Sequence, residues 1–184
     1  MLKTALFGLS YAANTVAIFA NIVGTLVVLA LVAVVNYDVF ARNVLHAPFM
    51  GAVEVVQFSI VLIVFLQLPD VVRVNRLTTS DGFQLVIGKR FPRFTKGLKA
   101  AINLLSAVFM GLIAVAMYPQ FIEMWRNADY FGVPGVFTAP WWPIKLVILL
   151  SAGLCTVIFL LKVLLPRQGT MLVRILPEFR DTRK

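Results

Sequence analysis

Four long apolar runs dominate this chain of 184 residues. The runs cover residues 16–36, 52–72, 100–122 and 141–162, and their interiors are almost free of charge. Each is close to the roughly 20 helical residues that cross a bilayer core of about 30 Å. Composition agrees, because 60% of the residues are hydrophobic and 14% are charged, whereas soluble domains are about half apolar and a quarter charged. These features exclude a water-soluble enzyme.

The predicted fold is an all-α integral membrane protein in which residues 1–184 form one domain of four transmembrane helices. The first apolar run is longer than the roughly 7–15 apolar residues of a signal peptide, so we expect a retained helix. Fourteen of the 17 lysines and arginines fall on the side shared by the two termini. The positive-inside rule therefore predicts that both termini, including a tail over residues 163–184, are cytoplasmic.

The segment between the second and third helices is amphipathic over residues 82–99. At 100° per residue its apolar side chains fall on one arc and most of its basic side chains on the other. This pattern is typical of a helix in the membrane interface, and Gly88 and Pro92 predict that it is broken into two short pieces. The residues expected to contact phospholipid headgroups are Lys89, Arg90, Arg93 and Lys96. The alternative is a basic loop that only enforces topology.

The net charge of +9 does not indicate a nucleic-acid-binding protein. In a soluble protein such a charge would suggest a nucleic acid partner, but here the basic residues flank apolar spans. Anionic lipid and membrane topology explain this placement better. We therefore expect no nucleic acid partner.

The fourth run begins with aromatic residues on the predicted outer side. Trp141 and Trp142 suit an outer aromatic belt at the membrane interface, and Lys145 is expected to extend outward past them. The preceding residues 127–143 are rich in glycine and proline, which predicts an ordered turn. All three side chains are therefore expected to contact lipid or the interface.

Charged residues near the ends of the first two runs are the candidates for ion pairs. Glu54 opens the second run and Arg42 follows the first, so we expect them to pair across the outer hairpin. Asp70 and Arg73 stand three residues apart at the inner end of the second run and are expected to pair there. The functional alternative for Glu54 is a proton or cation site.

No pattern in the chain predicts a cofactor, a metal centre or a nucleophile. His46 is the only histidine, so two histidines cannot bind one haem within the chain. Cys155 is the only cysteine and lies inside an apolar run. Polar residues within the runs, such as Asn21, Gln67 and Ser151, are expected to form hydrogen bonds between helices.

The order of these features resembles that of a known family. The first run ends in VVNYDVFARNVLHAPF, the second reads GAVEVVQFSIVLIVFLQLP and leaves through RVNRLTTSD, and GKRFPRF and APWWPIK follow. Together they resemble the small membrane subunit, the DctQ-like subunit, of tripartite ATP-independent periplasmic (TRAP) transporters. The more specific parts are Arg42 followed by Glu54, and the exit segment that ends in Asp81.

The resemblance implies a non-catalytic scaffold, or stator, in a secondary transporter of the bacterial inner membrane. In that family the partners are a large membrane subunit, which moves as an elevator, and a soluble periplasmic substrate-binding protein. The large subunit carries the substrate and ion sites and uses a sodium or other ion gradient to import organic acids. No cofactor is implied for the small subunit.

Two other functional classes compete with a scaffold. The first is a self-contained four-helix exporter driven by protons, in which Glu54 is the coupling carboxylate. Such a carrier needs its acid deep in a helix, whereas Glu54 lies beside the hairpin that joins the first two runs. The second is a membrane-embedded enzyme or redox anchor, for which the sequence supplies no ligands or nucleophile.

Overall fold

A computed structural model describes residues 2–47, 50–74, 92–133 and 137–164. In chain order the elements are α1 (Leu2–Val44), α2 (Ala52–Arg73), α3 (Pro92–Asn127), β1 (Tyr130–Val133), β2 (Phe137–Pro140) and α4 (Trp142–Leu164). Helix accounts for 88% of the described residues, and four helices are long and apolar enough to cross a membrane. The predicted helical membrane architecture is therefore confirmed, while the side of the membrane on which the termini lie remains a prediction.

Helix α1 is much longer than the apolar run that predicted it. Its 43 residues correspond to about 64 Å of helix, roughly twice the thickness of a bilayer core. Its buried residues are mostly small and recur every three to four positions or at multiples of that spacing. They are Ser10, Ala13, Asn14, Ala17, Gly24 and Ala41. This stripe lets the neighbouring helices approach α1 closely.

A tight connection joins α1 to α2. The carbonyl of Ala41 accepts hydrogen bonds from the backbone N–H groups of Leu45 and Ala47, which closes the end of α1. Gly51 precedes α2 with a left-handed φ of 96°, a conformation that glycine adopts without steric cost. We call this end of the molecule, together with the β-hairpin described next, the hairpin end.

The region around α3 differs from the sequence prediction in two places. Residues 82–91 of the predicted interfacial segment lie outside the described residues. From Pro92 onward the segment is the start of α3, since proline fits the first turn of a helix. The predicted ordered turn contains a two-stranded antiparallel hairpin, in which Tyr130 pairs with Pro140 and Val133 with Phe137.

Helix α4 is the central element of the bundle and packs against α3 and α2, with a smaller contact to α1. Of the residues in the most apolar stretch of each helix, 39% are buried in α4, whereas 6% are buried in α1, 11% in α2 and 6% in α3. The buried core joins all four helices near the end where α2 and α4 finish, which we call the tail end. Its members are Ala13, Ala17, Val72, Ala107, Cys155, Ile158, Phe159 and Leu161.

Candidate functional site

Polar side chains from α1, α2 and α4 meet at the tail end, close to the buried core. We call Asn21, Asp70, Arg73 and Lys162 the inner polar cluster. Arg73 donates to Asp70 Oδ1 from Nε at 2.9 Å and from the terminal guanidinium nitrogen at 2.6 Å. Asn21 Nδ2 donates to Asp70 Oδ2 at 3.1 Å. The carboxylate thus accepts three hydrogen bonds and links α1 to α2.

Lys162 connects α4 to the end of α2. Its ammonium group donates to the backbone carbonyl of Val72 and lies 5.9 Å from the ring centroid of Phe159. The last carbonyls of a helix have no partner within the helix and carry partial negative charge. A cation at this place therefore stabilises the end of α2 and attaches it to α4.

A second polar contact between α2 and α4 arises from a proline inside α2. Pro69 has no N–H, so the carbonyl of Phe65 loses its usual partner within the helix. The hydroxyl of Ser151 donates to this carbonyl at 2.5 Å. In a transmembrane helix such a carbonyl needs a partner, because lipid offers none.

Substituting Ser151 by alanine is expected to destabilise the protein by about 1–2 kcal/mol, because the carbonyl of Phe65 is left unsatisfied. In a Pro69→Ala background the same substitution should cost much less, since alanine at this position supplies the missing N–H. Thermal unfolding of the four purified variants measures this difference. Equal losses in both backgrounds would contradict the role of the proline.

At the hairpin end the ion pair differs from the predicted one. Arg42 lies against Asp38, one turn earlier on α1, at 2.8 Å. Within the part of the chain that the structure describes, the carboxylate paired with Arg42 is thus Asp38 and not Glu54. Spacing explains the difference, because residues four apart are neighbours on a helix. Glu54 occupies the first turn of α2, where a helix favours negative charge.

The aromatic residues at the start of α4 hold the β-hairpin and α3. The ring of Trp141 lies 4.9 Å from that of Phe131, and the ring of Trp142 lies 5.1 Å from that of Trp125. Lys145 donates to Gln120 Oε1 on α3 at 2.8 Å. These residues therefore bind α4 to its neighbours, and their predicted contacts with lipid remain predictions.

The structure does not describe the side chains of the four residues that are predicted to bind headgroups. Lys89 and Arg90 lie outside the described residues, and Arg93 and Lys96 are placed only as backbone positions in the first turns of α3. Their contact with phospholipid therefore stays a prediction.

Among the described residues, no group of three or more histidine, cysteine, aspartate or glutamate side chains is placed to hold a metal ion. An apolar groove of about 490 Å³ lies between α1, α2 and α4. Its lining includes Val16, Phe65, Pro69 and Leu150. Because the groove is apolar, it has no feature that would bind an organic acid or a metal ion.

The acidic and basic residues of the four helices lie towards the helix ends. No aspartate, glutamate, lysine or arginine occurs within residues 4–37, 55–69, 100–122 or 146–161. Coupling-ion and proton sites in transporters use polar or charged groups at the middle of the membrane. The polar groups found here instead join helices to one another.

Sequence reasoning missed the partners that come from other helices. It placed Asp70 beside Arg73, as the structure does, but it did not connect Asn21 to Asp70. A signal was present, since Asn21 and Asp70 each stand at the inner end of their predicted spans and antiparallel neighbours bring such positions together. The bond of Lys162 to the carbonyl of Val72 also joins two helices and has no signal within the fourth run alone.

Comparison with protein families identifies a match over most of the chain. Residues 31–169 match the family described as "Tripartite ATP-independent periplasmic transporters, DctQ component". The match covers α2, α3 and α4 and the second part of α1. Comparisons with curated proteins and with solved structures give no match.

Proposed function

Because the chain belongs to the DctQ family of TRAP transporter components, we propose that it is the small, non-catalytic scaffold subunit of such a transporter. In this function it is a multi-pass membrane protein that stays fixed in the bilayer. It holds a mobile partner in place and carries no solute itself. It has no enzymatic activity and needs no cofactor.

The observation that carries this proposal is the placement of charge. The central stretches of all four helices lack acidic and basic residues, so the chain offers no free charge at the middle of the membrane for a coupling ion. The charged groups of the inner polar cluster are used to join α1, α2 and α4. This arrangement supports rigidity rather than transport.

The low burial of the outer helices also supports a scaffold. In the most apolar stretch of α1, and likewise in that of α3, only 6% of the residues are buried within the chain. Both helices thus present large apolar surfaces to their surroundings, which in a membrane are lipid or another membrane protein. An enclosed pathway for a solute needs helices that surround it, and α1 and α3 lie at the margins of the bundle.

The partners of the proposed complex follow from the family. They are a large membrane subunit that holds the substrate and ion sites, and a soluble periplasmic substrate-binding protein. Import of organic acids is driven by a sodium or other ion gradient. The complex lies in the bacterial inner membrane with both termini of this chain in the cytoplasm, as the distribution of lysine and arginine favours. Phospholipid headgroups bind four basic residues before α3 and in its first turns, Lys89, Arg90, Arg93 and Lys96.

The experiment that tests this function is uptake by proteoliposomes from which one component is omitted. The complete set contains this chain, the large membrane subunit and the soluble binding protein of the proposed transporter. With the complete set, an ion gradient is expected to drive uptake of an organic acid. Omission of this chain should abolish the uptake. Full uptake without this chain would contradict a required scaffold.

A further inference from the structure

Contacts between helices show which residues of α1, α2 and α4 lie at the same height along the bundle near the tail end. Asn21 on α1 and Asp70 on α2 are joined directly, and Lys162 on α4 binds the carbonyl of Val72 two residues further on. Beyond this level α2 and α4 end within four residues. Helix α1 continues for 19 further residues to Leu2, which is about 28 Å of helix. We call Leu2–Ala20 the α1 extension.

The described side chains of the α1 extension include large exposed apolar groups. Tyr11 and Phe19 are 69% and 66% exposed within the chain, and Leu9, Val16 and Ile18 are exposed as well. On α3, Ile102 and Leu104 are also exposed. A helix in water does not present such a surface on several sides, because contiguous apolar area is costly there.

The exposed polar side chains of α1 indicate that lipid, and not another protein, contacts the exposed face of the α1 extension. The hydroxyl of Thr15 donates to the carbonyl of Tyr11 at 3.0 Å, and that of Thr25 donates to the carbonyl of Asn21 at 2.9 Å. These groups are satisfied within their own helix, as a lipid-facing helix requires. A protein interface in the membrane uses small or polar residues, and in the α1 extension Ser10, Ala13, Asn14 and Ala17 are already buried within the chain.

The positions of the charged residues on α1 and α3 also indicate that lipid contacts the α1 extension. Lys3 is the only charged residue of α1 before Asp38, and the first charged residue before the apolar run of α3 is Lys99. Both positions lie at the tail end of their helices, where a cation suits anionic lipid headgroups. On α1 and α3 no charged residue occurs between these lysines and the level of Asp70.

We propose that the α1 extension is embedded in the leaflet at the tail end, which is the cytoplasmic leaflet in the proposed orientation. Its exposed apolar side chains contact acyl chains, and Tyr11 lies at the interface. The extension begins at the inner polar cluster, whose charged groups have partners within the chain. This inference concerns how the chain sits in lipid and does not depend on which solute the complex carries.

The burial and pairing of the inner polar cluster suit a position at the inner boundary of the hydrocarbon. The side chains of Arg73 and Asp70 are only 17% and 18% exposed, and Asp70 accepts three hydrogen bonds. Charges within a membrane are tolerated when they are paired and hydrogen-bonded. Because α2 and α4 end near the level of the cluster, the α1 extension, about 28 Å long, must be strongly tilted to remain within this leaflet.

Site-directed spin labelling of the assembled complex tests the embedding. The single native cysteine, Cys155, is buried, so it is replaced by alanine and nitroxides are attached at Tyr11→Cys and Phe19→Cys separately. His46→Cys at the hairpin end provides the water-exposed control, and Leu112→Cys on the exposed face of α3 provides the lipid-exposed control. Relaxation by oxygen, which partitions into lipid, is compared with relaxation by a water-soluble nickel chelate.

The label at Phe19 is expected to resemble that at Leu112, with oxygen relaxing it at least several-fold more effectively than the nickel chelate. The label at Tyr11 should be intermediate between the lipid and water controls. Dominant relaxation by nickel at both sites would place the α1 extension in water and overturn the proposal. Protection of both sites from both reagents would mean that protein covers the extension, and this result would also overturn it. Two sites are used so that one misfolded variant does not decide the outcome.

Discussion

Replacing Gly24 by leucine is expected to destabilise the protein by roughly 2–3 kcal/mol, because an overpacked helix contact must move apart. A Cβ atom at this position would lie 2.9 Å from Cγ of Gln67 and 3.2 Å from Cβ of Leu66. Leucine adds three more carbon atoms to the same space. The larger side chain therefore separates α1 from α2 next to the hydrogen bond between Asn21 and Asp70.

Gly8 on the same helix provides the matched control, because a Cβ atom there meets no other atom within 4 Å. Gly8→Leu is expected to leave the thermal unfolding midpoint unchanged or to raise it, since leucine favours helix over glycine. The midpoints of both variants are measured in the purified complex. A similar fall of both midpoints would show that replacing either glycine destabilises α1, and that the contact of Gly24 with α2 is not the cause.

Replacing Arg73 by leucine is expected to cost about 3 kcal/mol, because removing one partner of a mostly buried ion pair leaves the other charge unpaired. The carboxylate of Asp70 keeps its hydrogen bond from Asn21 but loses two from the guanidinium. If the cluster lies within lipid, no water replaces them. Unfolding of the detergent-purified chain and of the complex in lipid measures the loss.

Arg42→Leu makes the same change at the other ion pair and serves as its control. The side chain of Arg42 is 60% exposed, so its pair with Asp38 is expected to contribute less than about 1 kcal/mol. In addition, the double variant with leucine at both Asp70 and Arg73 should be less destabilised than the sum of the single variants, because neither charge is then left alone. Additive losses would contradict the coupling.

The helical membrane fold was predictable because its signal lies within each helix. A charge-free run of about 20 residues indicates a span without knowledge of any neighbour. The pairing of Asp70 with Arg73 was predictable for the same reason, since residues three apart face one another on a helix. The position of Glu54 in the first turn of α2 also follows from the sequence nearby.

The contacts between helices were not predictable, because they depend on which helices are neighbours and at what register. Asn21 and Asp70 are 49 residues apart, and Ser151 and Phe65 are 86 apart. The pairing of Arg42 with Asp38 rather than Glu54 shows the opposite error, in which a partner across a hairpin was preferred to one on the same helix. The true length of α1 was missed because the helix continues past its most apolar part into residues with a more mixed sequence.

The described polar residues of this chain mostly join its own helices to one another. Asp70, Arg73 and Lys162 are charged groups near lipid, and each has a partner within the chain. The remaining surface of α1 and α3 is apolar and suits lipid or a membrane partner. In the proposed function, the polar groups of the described helices thus join the helices to one another instead of binding a solute.

The most direct test of this view is uptake by vesicles that contain this chain and neither of its proposed partners. An ion gradient and a labelled organic acid are supplied, and vesicles with the complete transporter serve as the positive control. We expect no uptake above that of empty vesicles. Gradient-driven uptake by this chain alone would show that it contains its own pathway and would contradict its function as a scaffold.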